Sequence, residues 1–411
     1  MSATRTSATP VPTAPVSPAG RYELIDTLRG FALFGVLLSN VLYTALEFAL
    51  DDEQRAELPA PLASGAVELL ALQFVGLKFY TIFSILFGLG FAIQLERLRQ
   101  RGPGALRTYI RRLIVLLVIG LTHAVFLWFG DILQFYAVVG LALILFRNRS
   151  DRCVLATSIA IGTFVGFTPV LLALVGSGTT QPDLALRFRA LTEGGYTDIL
   201  AMNWQFFVAA WTDASLSVDG FLYWVLSVLW KFLLGFWIGR RRIFQDTERF
   251  LPVYRRWFTP ALIFGLLGNA IMVVAIVALE VWVPEAGFPW NALWLVVEAA
   301  ILSLSLAYMF GIAILGTRPK AQRSMRALGR VGRMALTHYL THSVLFVALF
   351  YGIGLGWLGK MNAIHGLLLS IAIFAIQILA SRWWLARFAF GPMEWIWRCL
   401  TYGRRIPIRS R

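Results

Sequence analysis

The sequence predicts an all-α integral membrane protein, a polytopic bundle of about ten transmembrane helices. Two features of the composition carry this prediction: 58% of the 411 residues are hydrophobic, and only 14% are charged. The mean hydropathy is +0.70. Because a water-soluble domain holds about 25% charged residues, the chain lacks the polar surface that would cover a soluble globule. Soluble enzymes, disordered proteins and disulfide scaffolds are therefore excluded.

Ten apolar stretches are long enough to cross a bilayer as helices. A spanning helix needs about 20 residues, because each residue rises about 1.5 Å across a hydrocarbon core about 30 Å thick. Long runs that contain Gly and Pro favour helices over a barrel, whose strands alternate apolar and polar residues over about ten positions. The third and fourth stretches meet in a tight hairpin at Gly130-Asp131. The ten stretches cover residues 28–50, 72–96, 112–130, 131–147, 153–176, 216–239, 259–283, 290–316, 334–356 and 362–386.

The distribution of Lys and Arg predicts the orientation of these spans. With both termini in the cytoplasm, the cytoplasmic segments contain 31 of the 37 Lys and Arg residues. The outer segments contain Arg55, Arg187, Arg189 and Lys360, and the remaining two, Lys78 and Lys231, lie inside predicted spans. Since cytoplasmic loops are enriched in Lys and Arg, this asymmetry places the N-terminus and the C-terminus in the cytoplasm.

The formal net charge of +15 follows mainly from this positive-inside bias. The charge therefore requires no nucleic-acid partner. A basic cytoplasmic surface attracts the head groups of anionic membrane lipids or a phosphorylated cosubstrate, and both interpretations stay open.

Four regions follow from these patterns. Residues 1–20 hold four prolines among Ser, Thr and Ala and lack the apolar core of a signal peptide, so we expect a disordered cytoplasmic tail. Residues 21–176 are expected to form an N-terminal half of five helices that carries a polar groove. Residues 177–215 mix turns with aromatic side chains, which indicates an outer-face loop or an interfacial helix. Residues 216–411 are expected to form a C-terminal half of five helices with a basic cytoplasmic tail.

Ionisable residues inside the predicted spans are the candidates for function, because a charge in the bilayer core costs at least about 2.5–3.5 kcal/mol. His123 lies about eleven residues into the third span, near the middle of the bilayer, and imidazole suits proton transfer near neutral pH. Asp131 and Gln134 open the fourth span at its outer edge, and the tight hairpin turns Asp131 toward His123. A carboxylate there would orient the imidazole ring. The alternative is a packing histidine with a single hydrogen bond.

The first two spans contribute further candidates. Asp26 and Arg29 lie at i and i+3, so they can form an ion pair at the cytoplasmic start of the first span. Asn40 lies about 16 Å higher, close to His123 in depth, where an amide can either pack or hold a developing oxyanion. Lys78 heads the buried part of the second span, and its long side chain can reach toward the surface.

Other polar residues favour structural roles. Lys231 in the sixth span and Glu298 in the eighth can neutralise each other if they are adjacent. His338 and His342 lie at i and i+4 on the ninth span, a spacing that permits metal binding, but no third ligand accompanies them and no metal site is expected. The sequence contains no Walker loop, no HExxH and no GxSxG motif, so nothing in it indicates the pumps and proteases that carry them.

Four stretches of the sequence together resemble a known family. They are residues 24–40 (LIDTLRGFALFGVLLSN), 78–91 (KFYTIFSILFGLGF), 120–133 (GLTHAVFLWFGDIL) with Tyr136-Ala close behind, and 391–398 (GPMEWIWR). These stretches resemble the YeiB-like family of bacterial inner-membrane proteins, whose C-terminal half is a domain of unknown function. The resemblance covers nearly the whole chain after residue 20.

The YeiB-like family is similar, more distantly, to heparan-α-glucosaminide N-acetyltransferase and to the acyltransferase-3 type of membrane enzymes. Those enzymes move an acyl group from cytoplasmic acyl-CoA to a sugar or another acceptor across the membrane. By this resemblance, the Asp-x-x-Arg-Gly start of the first span corresponds to Asp26 and Arg29, and the later Asn to Asn40. The essential histidine of the acyltransferases occupies a different stretch from His123, so its role extends to His123 only by analogy.

The resemblance also argues against essential roles for two other histidines. Around residues 336–343 the family usually has Asn and Gln at two polar positions. This sequence has His338 and His342 there.

Together these features favour transmembrane acyl transfer in the bacterial inner membrane. In this hypothesis acyl-CoA or acetyl-CoA is the cosubstrate at the basic cytoplasmic rim. His123 acts as general base or carries the acyl group, Asp131 orients it, and Asn40 stabilises the oxyanion. The expected substrate-binding residues are Asp26, Arg29, Lys78 and Gln134.

Two alternatives stay open. One is a small-molecule transporter or exporter that uses the same polar groove, and the other is a membrane scaffold in which the polar residues only join helices. The expected partners are membrane lipids and a glycan or small-molecule acceptor, and a homodimer stays open as well.

Overall fold

The computed structural model describes residues 22–42, 61–99, 105–175, 184–212, 221–279 and 292–409. Within these ranges the regular elements are helices, and the extended pairing consists of an isolated bridge between Phe388 and Arg409. The prediction of an all-α polytopic membrane protein is therefore confirmed. The predicted tail, residues 1–20, lies outside the described ranges.

The described part of the chain contains fifteen α-helices, numbered here in chain order. They are α1 (Glu23–Ser39), α2 (Pro61–Phe74), α3 (Lys78–Arg99), α4 (Ala105–Phe126), α5 (Leu133–Ala142), α6 (Asp151–Val175), α7 (Leu184–Thr192), α8 (Tyr196–Thr212), α9 (Phe221–Arg240), α10 (Thr247–Leu279), α11 (Leu293–Gly316), α12 (Gln322–Arg333), α13 (Ala335–Phe350), α14 (Ala363–Leu385) and α15 (Pro392–Tyr402).

Eight helical segments in the described ranges are long and apolar enough to cross a membrane. The ten predicted stretches correspond to these eight segments and to two shorter apolar helices, Leu133–Phe146 and Ala335–Phe350. Several boundaries differ from the sequence expectation: the first segment begins at Glu23 rather than at residue 28, and the Asp26 and Arg29 pair lies in its first two turns. The number of crossings and the cytoplasmic side of both termini stay predictions.

The second predicted span is a broken helix. The chain turns between α2 and α3, and Leu77 takes a left-handed conformation with φ of 62°. A break at membrane depth leaves backbone groups that must find partners within the protein. Lys78 Nζ donates to the Leu72 carbonyl at 2.6 Å, and Ser305 Oγ of α11 donates to the Lys78 carbonyl at 3.1 Å. These side chains thus help to hold the break, together with turn hydrogen bonds such as that from the Lys78 N–H to the Val75 carbonyl at 3.2 Å.

The hairpin between the third and fourth spans is longer and more deeply buried than the sequence suggested. Residues 127–132 connect α4 to α5, and Asp131 is only 3% exposed. Helix α8 covers this hairpin, since Asn203 Nδ2 donates to the Val125 carbonyl at 3.2 Å. The expected interfacial segment, residues 177–215, therefore contains α7 and α8 in its described part, and α8 packs on the bundle.

Helix α1 lies inside the bundle, where it packs against α3, α11, α12, α13 and α14. Its closest approach is to α12, because a Cβ on Gly30 would overlap the Leu328 carbonyl and one on Gly332 would overlap the Asp26 carbonyl. Small residues permit such backbone contact between membrane helices. This packing places the polar residues of α1 next to the end of α12 and the beginning of α13.

Candidate functional site

A cavity of about 560 Å³ runs along α1. Its lining includes Asp26 and Arg29 near the start of α1 and Asn40 just past its end, so it extends about 21 Å along the helix axis. Most of the rest of the wall comes from α3, α4, α5, α13 and α15, with smaller parts from α9, the end of α12 and connecting segments. Small-molecule sites in proteins commonly measure about 300–1,000 Å³, so this cavity has the size of a ligand site.

Arginines gather at the end of the cavity near the start of α1. Arg29 Nη1 donates to Asp26 Oδ1 at 2.9 Å, the ion pair that the i, i+3 spacing predicted, while one third of the Arg29 side chain stays exposed. The guanidinium of Arg112 lies 4.0 Å above the Trp397 ring, and Arg29 and Arg398 are close enough to repel it. Convergent guanidiniums are suited to bind phosphate. The cavity-lining arginines are Arg29, Arg97, Arg112, Arg333 and Arg398.

Glu394 of α15 lines the arginine-rich end of this cavity and is hydrogen-bonded to α13. Its carboxylate accepts hydrogen bonds from the backbone N–H of Leu336 at 2.7 Å and of Thr337 at 3.1 Å, and from Thr337 Oγ1. These N–H groups belong to the first turn of α13, which lacks intrahelical acceptors for them. Burial raises the pKa of the Glu394 carboxyl above its ordinary range. Glu394 thus fixes α15 across the arginine-lined end of the cavity.

His123 lies in a buried hydrogen-bonded chain of three side chains. Its Nδ1 is 2.8 Å from Asp131 Oδ2, and its Nε2 is 2.7 Å from Ser343 Oγ. The second carboxylate oxygen, Asp131 Oδ1, accepts the backbone N–H of Gln134 at 2.9 Å. His123, Asp131 and Ser343 are 2%, 3% and 1% exposed. The structure therefore brings together His123 and Asp131, and it adds Ser343 from α13, 220 residues away in sequence.

The chain of three side chains lies directly behind the cavity wall. None of the three residues lines the cavity, but their neighbours Gly130, Ile132 and Tyr339 do. The Tyr339 ring centroid is 5.4 Å from that of His123, and the Tyr339 hydroxyl accepts the Ile132 N–H at 3.3 Å. At this point the wall is one side chain thick. Asn40 lines the cavity, and no hydrogen bond joins it to His123 because both ring nitrogens are engaged elsewhere.

Two of the predicted substrate-binding residues lie outside the cavity lining. Lys78 is fully buried at the break between α2 and α3, where its ammonium serves the Leu72 carbonyl. Gln134 is 2% exposed, and its Oε1 accepts the indole N–H of Trp211 in α8 at 2.7 Å. Both side chains stabilise chain segments, whereas Asp26 and Arg29 reach the cavity.

The remaining candidates connect helices. Lys231 Nζ of α9 lies 3.9 Å from Glu298 Oε2 of α11, so the two opposite charges are adjacent. His338 Nε2 is 2.7 Å from Ser381 Oγ. His342 Nε2 is 3.2 Å from Gln377 Oε1, so both histidines join α13 to α14.

Three residues of the site were missed from the sequence as functional candidates: Ser343, Tyr339 and Glu394. Tyr339 and Ser343 lie at i and i+4 on α13, so they share one face of that helix. A signal for Glu394 was present in the GPMEWIWR stretch, where an acidic residue follows Gly-Pro at the start of α15. Nothing in the sequence connects Ser343 with His123, because the contact depends on how α13 packs against α4.

The C-terminal part of the chain matches a known protein family. Residues 238–404 match the family described as "Protein of unknown function (DUF418)". The chain is 27% identical to YxaH of Bacillus subtilis (strain 168) over 413 aligned positions, which cover 95% of this chain and 96% of YxaH. It is 28% identical to YeiB of Escherichia coli (strain K12), over 95% of this chain and 99% of YeiB.

A third relative extends the similarity along the chain. It is a 39.9 kDa protein in the amylase 3' region of Bacillus acidopullulyticus, which is 28% identical over 96% of this chain and 97% of its own length. The matches thus cover both the N-terminal helices that line the cavity and the C-terminal ones. The chain is therefore a multi-pass bacterial membrane protein that is similar to YeiB over nearly its whole length and matches the DUF418 family over residues 238–404.

Proposed function

We propose that this protein is a transmembrane acyltransferase that moves an acyl group from acyl-CoA or acetyl-CoA to a sugar or other small-molecule acceptor. The observation that carries the proposal is the cavity along α1. It joins an arginine cluster, at the end predicted to be cytoplasmic, to a wall behind which His123 and Asp131 are hydrogen-bonded. The cavity would therefore hold a phosphorylated donor at one end, and the proton-transfer group lies behind the wall at the other end.

The arginine-lined end supplies the donor site. Arg29 and Arg112 would bind the phosphates of CoA, since charge-assisted hydrogen bonds to phosphate are among the strongest in proteins. Asp26 holds Arg29 from one side, and Trp397 supports the guanidinium plane of Arg112. The acyl thioester would extend along α1 toward Tyr339, past the apolar side chains of the cavity wall.

His123 supplies the base. With Asp131 ionised, the Nδ1–H of His123 donates to the carboxylate, and Nε2 is left to accept a proton. This pairing fixes the tautomer and favours the imidazolium that forms during transfer. Asn40 lines the same cavity and would donate its amide to the developing oxyanion.

Purified protein in lipid nanodiscs tests the donor site. We expect acetyl-CoA to be consumed with release of free CoA, measured with a thiol reagent. The Arg29→Ala variant should raise KM for acetyl-CoA about 10- to 100-fold, because a charge-assisted bond contributes about 1.5–3 kcal/mol. The control is Arg318→Ala, an exposed arginine that does not line the cavity. The proposal is wrong if the wild-type protein neither binds nor consumes acyl-CoA.

Transport of a small molecule is the second candidate function, and one observation favours it. Val75 and Leu77, at the break between α2 and α3, line the cavity. Broken helices are common at the substrate sites of secondary transporters. Proteoliposomes separate the two functions, because a transporter moves its substrate across the membrane without acyl-CoA, whereas an acyltransferase modifies its acceptor only when acyl-CoA is present.

A further inference from the structure

We propose that Ser343 is the nucleophile that carries the acyl group between donor and acceptor, in a triad with His123 and Asp131. This inference rests on the proposed acyl transfer and names a residue that its chemistry requires. It also revises the role of His123, which then activates Ser343 rather than the acceptor alone.

The connectivity of the three side chains is that of a serine nucleophile with its base. The base contacts the serine hydroxyl through Nε2 at 2.7 Å and the carboxylate through Nδ1 at 2.8 Å. Both distances fall within the range of about 2.6–3.2 Å that nucleophile, base and orienting group need. Asp131 is itself held by the Gln134 N–H at 2.9 Å, so the carboxylate has little freedom to turn away.

A second serine–histidine pair in the same bundle can be compared with that of His123 and Ser343. His338 Nε2 lies 2.7 Å from Ser381 Oγ, the same distance as in the His123 pair. Among the described residues, however, a carboxylate pairs with His123, and no carboxylate pairs with His338. A histidine that only joins helices needs one hydroxyl partner, as His338 has. The added carboxylate distinguishes the His123 site.

Tyr339 controls access to the triad. It lies one helical turn before Ser343 on α13, it lines the cavity, and its ring packs on His123. Since Ser343 is 1% exposed, a rotation of the Tyr339 side chain is the shortest way to connect the cavity with Ser343 Oγ. Such a closed state protects an acyl ester from water between the two half-reactions.

The two half-reactions conserve atoms and protons. Ser343 Oγ forms a bond to the carbonyl carbon of the acyl thioester, and the carbon–sulfur bond of the thioester breaks. The proton of Ser343 passes to His123 Nε2 and then to the departing thiolate, so CoA leaves as a free thiol. An acceptor hydroxyl then attacks the carbonyl carbon of the ester on Ser343, and the bond between that carbon and Ser343 Oγ breaks. His123 takes the proton of the acceptor hydroxyl and passes it to Ser343 Oγ. The acceptor leaves acylated and the triad is restored.

A fluorophosphonate probe, which reacts with activated serines, tests this role without any acyl-CoA. Digestion and mass spectrometry should find the label on the peptide that contains Ser343 and not on the one that contains Ser381. We expect Ser343→Ala to abolish labelling and His123→Ala to slow it at least about 100-fold, as in other triads. Ser381→Ala should label at the wild-type rate. Tyr339→Ala should label faster, because it opens the wall.

A cysteine version tests the same geometry in a protein that keeps the hydrogen-bonded chain. The sequence has two cysteines, Cys153 and Cys399, so their replacement by Ser gives a thiol-free background. In that background Ser343→Cys should react with N-ethylmaleimide at least about tenfold faster than Ser381→Cys, because His123 and Asp131 favour the thiolate. Adding His123→Ala should remove the difference.

The outcomes separate this inference from the proposed function. If Ser343→Ala consumes acetyl-CoA as fast as the wild-type protein, the triad is structural and acyl transfer stands. If Ser343 takes the probe in a His123-dependent way but no acyl-CoA is consumed, the nucleophile stands and the proposed donor is wrong. Absence of label at Ser343 in both the wild-type protein and Tyr339→Ala overturns the inference.

Discussion

Single residues explain why the polar groups of this protein can stay inside a membrane. Asp131 accepts from the His123 ring through one oxygen and from the backbone at the start of α5 through the other. Buried polar groups are costly unless every one has a partner. Lys231 shows the same rule, because its ammonium contacts Ser227 Oγ at 2.9 Å and lies 3.9 Å from Glu298. Asp131 and Lys231 are thus two buried charged groups that have partners on neighbouring segments.

Glu394 gives a pH dependence that can be tested. Burial raises the pKa of its carboxyl above the ordinary value of 4.5. The folded protein therefore holds this proton more tightly than the unfolded chain does. The stability that this group contributes is complete below pH 4.5, and it is lost as the pH rises through the raised pKa.

We expect the apparent Tm of the wild-type protein in detergent to fall between pH 4.5 and pH 8 more steeply than that of Glu394→Gln. The amide keeps an acceptor for α13 but has no proton to lose. Thermal melts followed by tryptophan fluorescence measure this, and Glu248→Gln, at an exposed position, serves as control. Parallel pH profiles for the wild-type protein and Glu394→Gln would contradict the assignment.

At the scale of helices, close backbone contact holds the site together. Helices α3 and α9 meet at two glycines on opposite sides of the contact: a Cβ on Gly88 would overlap the Phe232 carbonyl, and one on Gly235 would overlap the Ile85 carbonyl. In a bilayer, where lipid chains are as apolar as side chains, such packing is the main attraction between helices. Because α3 forms one wall of the cavity, the contact also fixes the cavity's width.

The substitution Gly88→Ala tests this contact. The added methyl group must push α3 away from α9, and overpacking of this kind costs about 1–3 kcal/mol. We expect a lower Tm and a weaker affinity for the donor. Gly65→Ala is the matched control, because a Cβ at Gly65 meets open space. An equal effect of both substitutions would show that the α3–α9 contact has no special role.

At the scale of the whole molecule, the described part of the chain is a bundle with many exposed apolar side chains and a largely apolar interior that also contains buried polar groups. In α1 and α9, 56% of the residues in the most apolar stretch of 18 are buried, compared with 28% in α10 and 33% in α14. Helices α10 and α14 therefore face the lipid, and they expose large side chains such as Leu267, Val274, Ile376 and Leu379. The candidate site lies between the buried helix α1 and helix α4, whose most apolar segment is 33% buried, as in α14.

The orientation of the whole molecule can be checked with its own cysteines. Cys153 is exposed at the start of α6, which the basic residues place on the cytoplasmic side. In the Cys399→Ser variant, a membrane-impermeant maleimide should label Cys153 in inside-out vesicles and not in intact cells. Lys360→Cys, in the cysteine-free background, should give the opposite result. A reversal of both patterns would invert the predicted orientation.

Much of the fold could be predicted because spanning helices are local. The apolar stretches follow from the length of a helix that crosses a bilayer, and each corresponds to an apolar helix in the structure. The pairing of His123 with Asp131 was also accessible, because a hairpin brings neighbouring residues together. The break near Leu77 was missed, since no Pro or charge cluster marks it and its stability comes from partners on α11.

The sequence by itself determined the class of protein, its apolar segments and the ionisable residues worth examining, because hydrophobic length and the cost of a buried charge act residue by residue. The tertiary structure alone decided which of those residues meet. It placed Lys78 and Gln134 outside the cavity, set Glu394 on the first turn of α13, and brought Ser343 to His123 across 220 positions. Such contacts depend on how helices distant in sequence pack, and the periodicity of one segment carries no information about the face of another.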